Sequence, residues 1–146
     1  MNTEEGPETV VDRLVKAVND HDLEALVACF DEDYVNETPV HPQRGFRGNA
    51  QVRKNWTQIL AAVPELQARV LNRAVDQNRV WTEWDMAGIR HDGSPFLMAG
   101  VVIFGVTEGR IASARFYLDP VDRDSGDVNA SVSRAVGNPI HSGSTS

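Results

Sequence analysis

Apolar residues recur at helical spacing in the first part of the chain. One face of a first helix is formed by Val10, Val11, Leu14, Val15 and Val18, and Thr9 with Asp12 predicts a capping box at its start. Asn19-Asp20 breaks this helix, and a second begins near Asp22. The apolar face of the second helix contains Leu23, Leu26, Val27 and Phe30. Two short helices this close are expected to fold back as a hairpin, because both faces must be buried.

A third helix follows a short strand and a loop. The strand is predicted over residues 34–38 and stops at Pro39, and the loop over residues 41–48 leads to a helix capped by Asn49. The apolar face of this helix contains Val52, Trp56, Ile59, Leu60 and Val63. Pro64 ends the helix because proline cannot continue the hydrogen-bond ladder.

The rest of the chain alternates as β-strands do. Strands are predicted over residues 66–70, 80–88, 96–106 and 110–118, with turns at Asp92-Gly93 and Glu108-Gly109. Three helices and a strand followed by an antiparallel meander predict an α+β fold. Beyond Pro120 the composition shifts to Ser, Gly, Asn and Asp. We therefore predict one domain over residues 1–121 and a polar, mostly disordered tail over residues 122–146, which could also dock on a neighbour or a pocket mouth.

Composition and charge exclude several functional classes. A chain of 146 residues with 41% hydrophobic content is long enough for one core. The net charge of −7 argues against nucleic acid as a partner. The chain has no apolar stretch of membrane-spanning length, and residues 1–8 lack the basic and apolar parts of a signal peptide. With the single Cys29, these features predict a cytoplasmic protein without a membrane partner.

The histidines do not predict a metal site. His21, His91 and His141 fall in a helix connection, a hairpin turn and the tail, away from cysteines or paired acids. We expect no metal and no organic cofactor. His41 lies in the loop after the first strand and could overhang a pocket, although an exposed loop histidine is the more frequent case.

Four short motifs together carry a family resemblance. They are the phrase Ala17-Val18-Asn19-Asp20-His21-Asp22-Leu23, the run Tyr34-Val35-Asn36-Glu37-Thr38-Pro39, Phe46-Arg47-Gly48, and the final hairpin over residues 101–119. In this order they resemble the SnoaL-like, nuclear-transport-factor-2-like superfamily, over about residues 8–121. The resemblance implies a cone-shaped α+β barrel, with three N-terminal helices packed on a curved, mostly antiparallel sheet. Its members include ketosteroid isomerase, limonene-epoxide hydrolase and polyketide cyclases.

The acids of ketosteroid isomerase are missing. The resemblance places its general base on Thr38, its oxyanion tyrosine on Leu14 and its protonated acid on or near Val101. A threonine is not a base near neutral pH, and leucine and valine donate no hydrogen bond. Ketosteroid-type isomerisation is therefore not expected.

Limonene-epoxide hydrolase is locally more similar. Its water-holding tyrosine and asparagine correspond to Tyr34 and Asn36, whereas its arginine and two aspartates fall on Trp84, Met86 and Phe116. The substitutions imply an apolar, aromatic cavity with a few neutral polar groups. Its predicted wall is Leu14, Trp56, Leu60, Trp84, Met86, Val101, Ile103 and Phe116. Strand alternation places Tyr34, Asn36 and Thr38 on one inward face as catalytic candidates. For Trp56 and Phe116, simple core packing is an equal alternative.

The remaining carboxylates are predicted to face away from this cavity. Glu83 and Asp85 alternate with Trp84, and Asp119 shares the outward parity of Arg115. A Glu83–Arg115 pair would be a structural ion pair, unless a bulge shifts the register and exchanges the two faces. Glu65 opens the second predicted strand. A catalytic pair of acids that included Glu65 would need a second carboxylate at position 38, which is Thr38, so the pair is incomplete.

Three functions stay open at this stage. The preferred hypothesis is a cyclase or isomerase of large hydrophobic, polyketide-type intermediates, in which cavity shape holds the substrate and Tyr34 with Asn36 polarises an oxygen. The second is a non-catalytic module that binds a hydrophobic small molecule. The third is an epoxide hydrolase, which requires Glu65, Glu83 or Asp85 to reach the cavity.

The sequence also predicts a homodimer. The strand over residues 96–106 is apolar on both faces, whereas one face should be polar in a sheet open to solvent. With Val101 and Ile103 inward, the outer contact surface would contain Trp81, Val102, Phe104 and Tyr117. A tail that folds back over this surface is the competing explanation.

Overall fold

The structure is a computed structural model that describes residues 6–123 and 126–137. The helices are α1 (Glu8–Asn19), α2 (Leu23–Ala28), α3 (Asn49–Ala62) and α4 (Val128–Ala135). The strands are β1 (Phe30–Glu37), β2 (Phe46–Arg47), β3 (Gln67–Asp76), β4 (Arg79–Ile89), β5 (Pro95–Thr107) and β6 (Arg110–Pro120), and a 3-10 turn covers Pro42–Arg44. The predicted α+β class is confirmed.

The six strands form one curved, open sheet in the order β2-β1-β6-β5-β4-β3. All neighbours are antiparallel except β1 and β6, which run parallel. The first three helices pack on the inner face of this sheet, and the shared core joins α1 and α2 to the middle strands. The cone-shaped arrangement is the one that the resemblance implied.

The Asn19–Asp22 corner is tied to the edge strand β3. The Asn19 side chain donates to the Ala68 carbonyl at 3.0 Å and accepts from the Ala68 amide at 2.7 Å, as a neighbouring strand would. His21 bonds the Leu66 carbonyl at 3.0 Å, and Asp22 caps α2 by accepting from the Ala25 amide. This motif therefore holds the helical hairpin against the sheet and leaves the cavity to other residues.

The register of β5 is opposite to the predicted one. Val102 pairs with Thr82 and Phe104 with Val80, which places both on the inner face with Trp84. Val101 and Ile103 lie on the outer face, so their prediction as cavity residues is wrong. Both parities of β5 are apolar, and alternation alone therefore could not choose between the faces.

Gly100 divides β5 into a part that lines the cavity and a part that lies in the core. It pairs with Trp84 and Leu118 and has a φ of +148°, a conformation that favours glycine. An added Cβ would overlap the Tyr117 carbonyl oxygen and lie 2.8 Å from the Leu118 Cα. The close approach of β6 at this point thus requires a residue without a side chain.

Several local predictions are corrected. The Thr9 and Asp12 capping box does not form; α1 begins at Glu8 without a side-chain cap, and Asp12 pairs with Arg73 at 2.7 Å. Asn49 is the first residue of α3, and its side chain donates to the Phe30 carbonyl at 3.3 Å. Phe30 itself opens β1, since α2 is shorter than its apolar pattern suggested.

The tail contains an element that its composition did not predict. Asp127 caps α4 by accepting from the Ala130 amide at 2.9 Å, and the valines at positions 128, 132 and 136 are exposed. The predicted tail residues 124–125 and 138–146 lie outside the described residues. The domain boundary at residue 121 stays a prediction. Within the described parts of the chain, no helix has the length and apolarity needed to cross a membrane.

Candidate functional site

A cavity of about 260 Å³ lies between α3, β1 and the ends of β4, β5 and β6. Its apolar wall includes Phe30, Phe46, Val52, Trp56, Ile59, Met86, Phe96, Met98, Phe116 and Leu118. A smaller apolar space of about 30 Å³ continues behind it and shares Trp56, Met86 and Phe116 with the larger one. The polar lining of the larger cavity comes from Tyr34, Asn36, Thr38, His41, Arg44, Asn55 and Asp119.

The structure brings most of the predicted site residues together. The larger cavity is lined by Tyr34, Asn36, Thr38, Trp56, Met86 and Phe116. Leu14 and Trp84 line the smaller inner space. Leu60 packs on the core instead of lining the cavity. Ile59, its neighbour about 100° away around α3, lines the cavity in its place. The prediction of Leu60 as a cavity residue is therefore corrected.

Tyr34 orients Asn36. The Tyr34 hydroxyl donates to Asn36 Oδ1 at 2.6 Å, and the two side chains are 1% and 8% exposed. Burial raises the pKa of Tyr34 well above its usual range, so the hydroxyl keeps its proton. Phe30 and Phe46 hold the tyrosine ring through edge contacts, with centroids at 4.8 and 5.9 Å.

The consequence is a free amide inside the cavity. Because the Tyr34 hydroxyl donates to Oδ1, the Asn36 carboxamide is oriented with its Nδ2 group away from the tyrosine oxygen. The Asn36 Nδ2 group then has no protein partner in the described part of the chain, and Asn36 is one of the residues that line the cavity. This arrangement suits Asn36 to donate a hydrogen bond to a bound molecule, with Tyr34 positioning its side chain.

Thr38 positions a loop. Its hydroxyl donates to the His41 carbonyl at 2.7 Å, and the His41 amide donates back to the Thr38 carbonyl at 2.8 Å. The hydroxyl is therefore already used within the turn. Thr38 contributes to the site by holding His41 at the cavity mouth.

His41 and Asp119 form a polar pair at that mouth. His41 Nε2 lies 3.1 and 3.3 Å from the two carboxylate oxygens of Asp119, and Arg44 Nη1 lies 4.0 Å from Oδ1. The side chains of His41 and Asp119 are 33% and 44% exposed. A carboxylate only accepts hydrogen bonds, so Nε2 carries a proton in this contact, and in the neutral imidazole the lone pair is on Nδ1. Such a histidine is suited to accept a proton.

Asn55 adds a second amide to the cavity wall. Gln51 Nε2, one turn earlier on α3, donates to Asn55 Oδ1 at 2.9 Å. The oxygen of this carboxamide is thus also occupied, and its Nδ2 group is left for the cavity. The sequence pattern did not identify Asn55, because a polar residue between Val52 and Trp56 looks like part of a solvated helix face.

The sequence matches the SnoaL-like domain family over residues 11–114. The chain belongs to the SnoaL-like family. No curated protein sequence matches it. Among solved structures, this SnoaL-like domain is similar to wild-type IdmH from Streptomyces antibioticus, whose proposed role is that of a polyketide cyclase. The two are 24% identical with a TM-score of 0.68, and the match covers 79% of this chain and 93% of IdmH.

Two further structures support the same fold. An epoxide hydrolase from M. tuberculosis that resembles limonene-epoxide hydrolase is 21% identical, with a TM-score of 0.67 and coverage of 77% of this chain and 82% of that one. A proposed polyketide cyclase from Xanthomonas campestris is 20% identical, with a TM-score of 0.65 and coverage of 75% and 89%. At these identities the likeness establishes the fold of the SnoaL-like domain and leaves its reaction open.

Among the described residues of the SnoaL-like domain, Asp119 is the one carboxylate in the cavity lining. On the outer face of the sheet, Glu83 accepts from Asn72 at 2.6 Å and Asp85 pairs with Arg69 at 2.7 Å. The predicted Glu83–Arg115 pair is wrong, because β5 separates the two residues. Arg115 instead pairs with the neighbouring Glu37 at 2.8 Å.

Glu65 is exposed two residues before β3 and does not line the cavity. In residues 6–123 and 126–137, no group of three or more His, Cys, Asp or Glu side chains could hold a metal ion.

Sequence reasoning missed the His41–Asp119 pair for a topological reason. Parallel strands end at the same edge of a sheet, so the loop after β1 meets the end of β6. The β1–β6 pairing ends at Glu37 and Arg115, four residues before Asp119. Beyond that point none of the described strands pairs with β6 on this side, and the Asp119 side chain reaches His41. A predicted parallel pairing of the first and last strands would have found this contact.

Proposed function

We propose that the protein is a SnoaL-like enzyme that closes a ring on a large, mostly apolar intermediate of the polyketide type. The observation that carries this proposal is the His41–Asp119 pair at the polar end of an apolar cavity that also contains the free Asn36 amide. The preferred function predicted from the sequence is kept. Its chemistry changes, because the cavity now contains a base.

The apolar wall supplies positioning. A flexible chain that enters a cavity lined by aromatic rings and methionines loses its freedom before the reaction, which lowers the entropic part of the barrier. The apolar lining of the smaller inner space also disfavours water in the deeper part of the site. Both effects favour ring closure over competing reactions of an unfolded substrate chain.

The polar groups supply a balanced proton transfer. His41 Nδ1 takes a proton from the carbon beside a substrate carbonyl, while Asp119 stabilises the imidazolium that forms. The electron pair left on carbon attacks a second carbonyl carbon and forms the ring bond. The oxygen of that carbonyl then receives the proton from His41, so no oxidant or further reactant is needed. Asn36 donates to the oxygen on which negative charge develops.

Proton transfer can be tested without the natural substrate. Butyrophenone is an apolar ketone with exchangeable hydrogens beside its carbonyl, and its deuterium uptake in heavy water is measured by proton NMR. We expect the wild type to accelerate uptake, and His41→Gln to lower the enzymatic rate by about a hundredfold or more, as loss of a general base does. Asp119→Asn should have a smaller effect in the same direction.

The matched control is His91→Gln. His91 lies on an exposed hairpin and bonds the Ala61 carbonyl at 2.8 Å, far from the cavity lining. Its variant should keep the wild-type rate. An unchanged rate in His41→Gln would refute the proposed base. Binding of butyrophenone without accelerated exchange in the wild type would favour the non-catalytic binding module.

Epoxide hydrolysis is the second candidate, and Asp119 is the observation that favours it. The carboxylates required by the sequence argument, Glu65, Glu83 and Asp85, lie outside the cavity, but His41 with Asp119 could remove the proton of a water bound at Asn36. Conversion of styrene oxide to its diol by the wild type but not by His41→Gln would support hydrolysis. Ring closure is preferred because the Tyr34 proton is held by Asn36 and does not protonate the epoxide oxygen.

We also propose a homodimer through the outer face of the sheet. Trp81 is 45% exposed and Tyr117 is 38% exposed, and the strand between them contributes the half-buried Val101. The contact surface thus contains the opposite parity of β5 from the one predicted. An exposed surface of this apolar character is uncommon in monomers.

A further inference from the structure

We propose that the cavity selects a substrate with two carbonyl oxygens, one held by the Asn36 amide and the other by the Asn55 amide. This inference rests on the proposed function, because it specifies the substrate class of the same cavity. It assigns Asn55 as a specificity-determining residue and Gln51 as the residue that positions it.

The Asn36 amide needs a partner that the protein does not provide. Its side chain is more than nine-tenths buried, and the Tyr34 hydroxyl occupies its oxygen at 2.6 Å. No described residue accepts from Nδ2. Buried amide donors without a partner are rare in folded proteins, because such a group has lost its hydrogen bonds to water and gained none in return. A bound oxygen in the cavity would satisfy this donor.

The Asn55 amide repeats the arrangement from a second element of the cavity lining. Gln51 fixes its oxygen at 2.9 Å, and the side chain is half-buried at the cavity lining. Asn36 comes from β1 and Asn55 from α3, so the two donors belong to different elements that enclose one space. Both carboxamides therefore present hydrogen-bond donors and keep their acceptors engaged within the protein.

This pairing discriminates between ligands. A carbonyl oxygen only accepts, and two carbonyls match two donors without bringing a hydrogen that needs an acceptor. A ligand with one carbonyl leaves one of the two amides without an acceptor on the ligand, so the site binds it less tightly than a ligand with two carbonyls. The surrounding wall is apolar and cannot compensate for the missing oxygen.

The test compares diones with monoketones of the same skeleton. Three phenyl-substituted diones are used, with one, two or three carbons between the carbonyls; benzoylacetone is the shortest and butyrophenone is its monoketone. Affinities are measured by calorimetry at a pH where the diones are neutral. For at least one dione, we expect the wild type to bind about tenfold more tightly than the matched monoketone, the value of about one well-placed hydrogen bond.

Variants then assign the preference to the two amides. Asn55→Leu should abolish the dione preference, and Gln51→Leu should reduce it by about threefold through loss of orientation. Gln58→Leu, an exposed position on the same helix, is the matched control and should keep the wild-type preference. For the buried pair, the double variant Tyr34→Phe with Asn36→Leu removes both partners together, so that no unpaired group is left to unfold the protein.

The outcomes are distinct. A dione preference that is lost in Asn55→Leu and in the double variant supports the inference. Equal affinities of the wild type for every dione and its monoketone, or no binding of any probe at millimolar concentration, would overturn it. A preference that survives in Asn55→Leu would overturn the role of Asn55. Failure of the proposed function looks different: deuterium uptake would not depend on His41 while the dione preference remained.

Discussion

Replacement of Gly100 by alanine should destabilise both the fold and the site. The added Cβ meets the Tyr117 carbonyl oxygen and the Leu118 Cα, both in the backbone of β6, and neither can move as a flexible side chain would. The positive φ of +148° adds strain for any residue with a side chain. Backbone strain of this type costs about 1–3 kcal/mol, and overpacking in a sheet core costs about 1–3 kcal/mol. We therefore expect the free energy of unfolding to fall by about 2–6 kcal/mol.

Gly93→Ala separates the two contributions. Gly93 also has a positive φ, +86°, but an added Cβ there meets no atom within 4 Å. Its variant should lose only the strain term, about 1–2 kcal/mol. Equilibrium unfolding in urea measures both variants, with the slope of the transition checked against the wild type. A Gly100→Ala protein within about 0.5 kcal/mol of Gly93→Ala would refute the steric argument.

The same substitution has a functional consequence. Leu118 precedes Asp119, so a backbone that moves away from position 100 also moves the carboxylate away from His41. At temperatures where the Gly100→Ala protein is still folded, its rate of deuterium uptake into butyrophenone should fall towards the rate of the Asp119→Asn protein. The Gly93→Ala protein should keep the wild-type rate.

Three further predictions concern single side chains. Because burial raises the pKa of Tyr34, the folded state keeps a proton that the unfolded state loses above about pH 10. The free energy of unfolding, measured by urea titration, should therefore fall above this pH by up to about 1.4 kcal/mol per pH unit. A Tyr34→Phe protein whose free energy of unfolding falls with the same slope would contradict this. Burial likewise raises the pKa of the Cys29 thiol, and the residue is 3% exposed. Iodoacetamide should therefore alkylate Cys29 much more slowly in the native protein than in urea. Equal alkylation rates in the two conditions would be inconsistent with the buried position. In light scattering, Trp81→Lys should convert the proposed dimer into a monomer. The control Ile89→Lys, at an exposed position at the end of the same strand, should stay a dimer. A full-length wild-type protein that is a monomer would rule the dimer out.

The sequence predicted the architecture well because local signals and packing agreed. The helical faces around Leu14 and Trp56 and the turns at Gly93 and Gly109 each have one physical solution. The orientation of β5 had two possible solutions, because Val101 and Val102 are equally suited to a buried face. Only the pairing with Thr82 on β4, whose alternation is clear, decides between them.

The polar site was harder to predict than its apolar wall. Tyr34 and Asn36 were found because two neutral polar residues at a spacing of two share one face of a strand. His41 and Asp119 are 78 residues apart and meet only through the parallel pairing of β1 with β6. Asn55 was missed because a polar residue on a short helix usually faces water, and only the packed structure shows that it lines a cavity.

The parallel contact between the first and last strands also sets when the site can exist. A growing chain can form the helical hairpin and the β3–β4–β5 meander from neighbouring segments. In contrast, β1 can pair on its β6 side only after β6 has formed, and the His41–Asp119 contact depends on this pairing. Pairings across such a separation form late, since the loop entropy is lost before the contacts repay it. Ligand binding at this cavity should therefore appear in the last kinetic phase of refolding, after most of the circular dichroism signal has returned. A bound ligand would then report on completion of the fold.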